Sequence, residues 1–346
     1  MKTIKINVGL DISKDSFDAS IIKMLEDLKQ KVAANKKFKN NHDGFMQLKA
    51  WVFDKIKDEV EIHFTMEATG VYYEGLAYFL HESKYIVHVV LPNKAKKFIE
   101  SLDIKSKTDK LDAQSLGRMG VERHLRVWNP CSVKLKSIRF LTRERESIIH
   151  HRTMLKNQLH ALMLSVGESE TSIARTQELI TFIDNQVTTI EKEIKALISK
   201  DIELSRKSEI LLTIPGIGIT TIATVVAETN GFASIENKKQ LTSYAGYDIK
   251  IRESGAWKGK PKISKKGNSH IRAALYFPAF TVSRLNEEIK EDYERIKNKK
   301  KLAMVANTTI QRKLLCLMYT LWKTEKEFKG NYQKEELEKA SISGIA

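Results

Sequence analysis

Asp11, Glu67, Asp109 and Asp112 are the side chains whose type and placement could do chemistry. Asp11 follows the β-rich segment TIKINVGL (3–10) as it runs into a turn, and Glu67 closes EIHFTME (61–67). Both stand at strand tips, where a sheet displays functional groups. The segment SKTDKLDAQSLGRM (106–119) can open a helix with Thr108 as N-cap, which puts Asp109 and Asp112 on one face, three residues apart. Carboxylates near the positive end of a helix are favourable, but two so close repel, and a divalent cation between them accounts for the pair. Magnesium is the natural choice. Carboxylates from two strand ends and one helix can hold two Mg2+ ions about 4 Å apart, one activating a nucleophile and one stabilising the leaving oxygen of a phosphodiester. Taken singly, each acid reads as a solvated charge or a helix cap; it is the set that points to nuclease chemistry. Asp15, Asp18 and Asp103 have no comparable position and read as solvated.

Actin-like kinases and ATPases also place an early Asp after a first strand. They cradle phosphates with glycine-rich turns, which neither GLDISKD (9–15) nor MEATGVY (66–72) supplies.

A second region reads as nucleic-acid binding. LLTIPGIGITTIATVVA (211–227) is two apolar helical stretches joined through Pro215, Gly216, Ile217 and Gly218. In a helix-hairpin-helix, glycines such as Gly216 and Gly218 let backbone N–H groups approach phosphates regardless of base sequence; a tight turn between two core helices gives the same pattern. Between Ile249 and Arg272 lie eight basic residues, Lys250, Arg252, Lys258, Lys260, Lys262, Lys265, Lys266 and Arg272, against one acid, Glu253. Trp257 sits among them, able to stack on a base or ribose, and Gly255, Gly259 and Gly267 let the loop follow a backbone closely. A solvated basic loop is the alternative.

The elements that must hold these groups follow from pattern and composition. With 346 residues the chain predicts two or three folded units, and 42% hydrophobic with 29% charged residues excludes a disordered or low-complexity chain. A net charge of +16 points to polyanionic partners. Cys131 and Cys316 form no CxxC pair, excluding a disulfide framework or a Cys-based zinc site, and the N-terminus lacks a signal-peptide pattern, so a cytoplasmic protein is expected. The uncharged stretch Ile210–Ala227 is broken by Pro215, Gly216 and Gly218, and a membrane span is rejected. Residues 3–10 and 16–22 predict a hairpin; 61–67 and 85–92 predict strands, with a helix over 71–83 between them. From about residue 135 strand signals stop. Leu141, Ile148, Leu155 and Leu162 recur every seven residues, and Ile180, Ile183, Val187, Ile190, Ile194 and Leu197 step by three and four, the seam spacing of a coiled coil, either within one chain or between subunits. The expected fold is α/β followed by all-α: a catalytic domain over 1–130, a helical coiled-coil hairpin over 131–205, a mostly helical domain over 206–330 ending in helices across 285–328, and a tail over 331–346.

In this order, GLDISKD, MEATGVY and KTDKLDA, followed by IPGIG (214–218), SYAGY (243–247), ESG (253–255) and ISKKGNSHIR (263–272), resemble the transposases of insertion-sequence family 110 over nearly the whole chain. The resemblance implies an RNase H-like (RuvC-like) N-terminal domain, Mg2+ on Asp11, Glu67, Asp109 and Asp112, and a C-terminal serine that attacks DNA to form a phosphoserine intermediate. By motif position that serine is Ser254, with Ser243 and Ser264 in the same region. It also implies double-stranded DNA as substrate, a structured guide RNA (bridge RNA) that selects sites, and a homodimer or homotetramer. A metal-only junction nuclease and a DNA binder without catalysis are the competing readings.

Overall fold

Three antiparallel strands, β1 (Thr3–Ile12), β2 (Ser16–Leu25) and β3 (Gln30–Lys39), open the chain. Ile6, Val8, Leu10 and Ile12 alternate inward along β1, the period that one packed face requires. The computed structural model describes residues 2–167, 170–255, 257–259 and 261–330, so Lys260 and the tail over 331–346 lie outside the described residues. The chain divides into two compact units, Met1–Pro130 and Cys131–Ala346.

In the first unit the hairpin continues through α1 (His42–Lys55) to β4 (Ile62–Glu67), then α2 (Glu74–Glu82), β5 (Ile86–Val90), α3 (Pro92–Ser101) and α4 (Asp109–Glu122). The sheet order is β3-β2-β1-β4-β5, with β4 parallel to β1 and β5 parallel to β4. This is a mixed α/β sheet in which the chain crosses from the outer strand β3 through α1, past β2 and β1, to β4, and then through α2 to the parallel neighbour β5. The helix expected over 71–83 begins at Glu74, because residues 69–73 form turns. The strand β3 and the helices α1 and α3 add to the elements expected.

The second unit carries two long helices, α5 (Val133–Leu164) and α6 (Glu170–Ser199). Arg145 bonds Glu191 and Arg152 bonds Asp184, a pairing that descends on α6 as it climbs on α5, so the two run antiparallel. The seam residues Ile180, Val187, Ile190 and Ile194 are buried. There follow α7 (Ile202–Leu212), α8 (Ile219–Glu228), α9 (Lys238–Tyr244), α10 (Ser269–Leu285), α11 (Glu287–Lys300) and α12 (Ala303–Thr324), whose core includes Ile222, Leu241, Leu275 and Leu315, each at most 1% exposed. Strand structure does not end near residue 135 as expected. Four two-residue strands, β6 (Ile249–Lys250), β7 (Glu253–Ser254), β8 (Trp257–Lys258) and β9 (Lys262–Ile263), form two small ladders, β6 with β9 and β7 with β8, too short to show a period of two. Among the described residues no helix is long and apolar enough to cross a membrane.

Candidate active site

The first unit brings the four predicted carboxylates to one end of the sheet by a close approach of helix to strand. A side chain added at Gly9 of β1 would lie 2.0 Å from the Ala113 carbonyl of α4, and one at Gly117 of α4 would lie 2.5 Å from Ile22. Only glycine permits α4 to lie so near β1, and that contact sets the first turn of α4 over the end of the strand. Thr108 caps the helix as expected, its side chain accepting from the Leu111 N–H at 3.3 Å, with Asp109 and Asp112 in the first turn.

Asp11 records the convergence. Burial first, then the charges of Asp112, Asp109, Glu67 and Asp18, push its carboxyl up to about 6. Asp112 is also raised, by burial and by Asp109, against the opposing pull of Lys107. Glu67 and Asp112 line a cleft of about 680 Å3 alongside residues of α3, among them Lys96. Hard oxygen donors that repel one another around a half-buried acid suit a divalent cation, which stabilises all of them in the charged form. The residues thus fit Mg2+ in kind. Among the described residues, however, no three acidic, His or Cys side chains are disposed to grip one ion. Asp109 is two-thirds exposed and turned toward Lys37, whose Nζ lies 3.7 Å from its Oδ2.

Asp18, expected to be solvated, belongs to this cluster. In the β1–β2 ladder it stands directly opposite Asp11, its side chain is 17% exposed, and it pairs with Lys37 at 3.4 Å. Directly opposed residues share a face, so counting back across the turn at 13–15 would have found it.

In the second unit Ser254 lies exposed on β7, opposite Trp257, at a tight turn where Gly255 has φ +56°. Lys250, Arg252, Lys258, Lys262, Lys265 and Lys266 are exposed around it, and Trp257 is 60% exposed. The alternative serines are engaged: Ser243 donates to Asp248 at 3.2 Å and Ser264 to the Gly246 carbonyl at 3.4 Å. Arg272 is turned inward, its Nη1 donating to the carbonyls of Ala245, Gly267 and Asn268, so this member of the basic run ties the loop together. The motifs SYAGY and ISKKGN form one packed piece, since a side chain at Gly267 would lie 2.4 Å from the Tyr244 carbonyl. Gly216 has φ +81° and faces Thr281 of α10, so it is required by the turn itself; Gly218 opens on free space.

Beneath that piece lies a polar hub the sequence reading did not include. Glu228, at the end of α8 and 3% exposed, accepts two bonds from Arg143 of α5, at 2.7 and 3.0 Å, and one from Asn268 at 2.6 Å. Although burial opposes it, these bonds hold its carboxyl below the usual range. Tyr244 donates to its backbone carbonyl at 2.8 Å, and His270 meets Glu146 of α5 nearby. A lone acid closing the apolar run ITTIATVVAE was the available signal.

Two family models match the chain. A family model of DEDD transposases matches residues 8–167, and a second, described as Transposase IS116/IS110/IS902 family, matches residues 208–294. The pilin gene-inverting protein of Moraxella bovis is 30% identical over 330 residues, covering 94% of this chain and 98% of that protein. The chain belongs to the IS110 transposase family. The transposase for insertion sequence element IS1328 of Yersinia enterocolitica is 22% identical to this IS110-family member over 213 residues, 55% of this chain and 61% of that protein. The T. thermophilus RuvC in complex with Holliday junction substrate aligns with a TM-score of 0.28 and 10% identity, over 36% of this chain and 100% of that one. The first family model takes in all four carboxylates of the transposase, and the second takes in Ser254, the basic loop and Glu228.

Proposed function

We propose that this transposase cuts and rejoins double-stranded DNA through a serine–phosphate bond, with Asp11, Glu67, Asp109 and Asp112 holding two Mg2+ ions and Ser254 as the nucleophile. The observation that carries the reading is the close packing of α4 on β1, which sets the first-turn acids Asp109 and Asp112 over the strand end that bears Asp11, beside the parallel strand that ends at Glu67. Mg2+, if held by these carboxylates, would stabilise negative charge on the phosphate. The Ser254 oxygen bonds to phosphorus as the deoxyribose oxygen leaves with a proton, and rejoining reverses the step. The energy of the broken phosphodiester stays in the serine–phosphate bond, so no ATP is needed.

Rejoining is supported by the relatives named for inverting a pilin gene, since inversion requires every broken strand to be resealed. The exposed Lys and Arg of the Ser254 loop suit phosphate contact without base reading, and selection of sites then falls to base pairing with a structured guide RNA, the bridge RNA of the resemblance. Exposed Phe140, Met154, Leu179 and Phe182 on α5 and α6 support subunit contacts in a homodimer or homotetramer.

The test is a denaturing gel of labelled element-end DNA incubated with protein, flanking transcribed RNA and Mg2+. A protease-sensitive, slow-migrating band is expected with the wild type and lost in Ser254→Ala; Asp11→Asn abolishes cleavage. An adduct that persists in Ser254→Ala assigns the nucleophile to Ser243, Ser264 or another residue. Cleaved ends free of protein would refute covalency and identify a metal-only junction nuclease.

A further inference from the structure

Asp11, Asp18 and Lys37 form a row across three strands: Asp11 stands opposite Asp18 in the β1–β2 ladder, and Asp18 stands opposite Lys37 in the β2–β3 ladder. Directly opposed residues put their side chains on one face, so Lys37 projects on the side where α4 presents Asp109. The ammonium joins both, 3.4 Å from Asp18 and 3.7 Å from Asp109. Its neighbour Lys36 instead lies over the Phe38 ring. Lys37 is 57% exposed, so its four-carbon stem is free to swing without disturbing the sheet.

We propose that Lys37 is the resident counter-cation of the carboxylate cluster, displaced by the divalent ions and then delivered to a phosphate of the DNA strand being cut. The proposal rests on the carboxylates being the metal site. While Lys37 bridges Asp18 and Asp109, Asp109 is turned toward the lysine, which accounts for donors that converge in charge without being disposed around one point. A divalent ion outcompetes a single ammonium for several carboxylates. Once released, the ammonium sits beside the cluster with the correct sign for a phosphate oxygen.

Two readings separate this role from that of an ordinary surface lysine. Mn2+ binding to the full chain, followed by the loss of the free-ion electron paramagnetic resonance signal, is expected to tighten about two- to fivefold in Lys37→Ala, the factor an exposed ion pair carries. Lys37→Arg keeps the competitor and the wild-type affinity. Cleavage of element-end DNA at saturating Mg2+ is expected to fall about tenfold or more in Lys37→Ala, the size of effect that losing a charged donor to phosphate produces, and to recover in Lys37→Arg. Unchanged or weaker Mn2+ affinity in Lys37→Ala overturns the proposal, as does undiminished cleavage. If the wild-type protein takes up no Mn2+, the carboxylate site itself is refuted and the role of Lys37 falls with it.

Discussion

Removing either partner of the Glu228–Arg143 pair should destabilise the second unit, and by unequal amounts. The Glu228 side chain is 1% exposed, whereas that of Arg143 is 47% exposed. In Glu228→Ala the guanidinium left behind can turn to water, and the loss is chiefly the paired bonds and the Asn268 contact, about 2 kcal/mol. In Arg143→Ala the carboxylate stays buried with Asn268 as its remaining side-chain donor, and a buried charge stripped of its partner costs about 3–5 kcal/mol. At roughly 2–4 °C per kcal/mol for a unit of this size, the expected falls in melting temperature are about 4–8 °C and about 6–20 °C. Replacing both, as Glu228→Leu with Arg143→Met, should recover most of the loss, because the desolvation cost disappears with the charges. Scanning calorimetry of the full chain, with all three variants, reads these values directly. If Arg143→Ala proves no more harmful than Glu228→Ala, or if both shift the transition by less than about 1 °C, the hub is not a buried ion pair in solution and the reasoning fails.

Gly117→Ala should push α4 off the sheet at Ile22, costing about 1–3 kcal/mol and reducing DNA cleavage more than the loss of stability alone explains; a thermal melt beside a cleavage assay checks it. Glu228 also makes stability acid-sensitive: its folded carboxyl titrates below the usual range, so the contribution is complete above the unfolded value, near 4.3, and is lost as pH falls through the folded one. Glu228→Gln should flatten that part of the stability profile measured by urea unfolding. His88 is 5% exposed and its Nδ1 donates to the Arg126 carbonyl at 2.9 Å, while burial lowers its titration below the ordinary value. Its contribution is therefore full above about pH 6.5 and declines below it, and His88→Asn should show a smaller fall in melting temperature between pH 7.5 and 5. Arg145→Ala, which breaks the partly exposed bond to Glu191 between α5 and α6, should cost no more than about 1 kcal/mol.

How much of this was legible depended on whether the cause was local. Thr108 and the two aspartates after it could be read because an N-cap and an i, i+3 pair are written within one turn. The hairpin of β1 and β2 was legible from alternation. The strand β3 was not, since Phe38 is its one buried residue, Val32 and Ala34 are small and half-buried, and the exposed lysines interrupt the apolar period at Lys36. Asp18 needed the ladder register as well as the strands. Glu228 and Arg143 lie 85 residues apart and meet only through the packing of α5 on α8, which no local pattern encodes. The contact of Gly9 with Gly117 is of the same long-range kind, and it is what carries Asp112 to Asp11.

The placement of β3 at the margin of the sheet has a consequence for solubility. An outermost strand offers unpaired backbone groups as a template for another chain. Here the margin carries Lys31, Lys36, Lys37 and Lys39, all exposed, so two such strands brought together would set lysine against lysine. At the opposite margin the Trp128 N–H bonds to the Val87 carbonyl of β5 at 2.7 Å, a returning segment that occupies part of the other template. Aggregation by strand addition is thereby opposed at one margin by charge and at the other by cover.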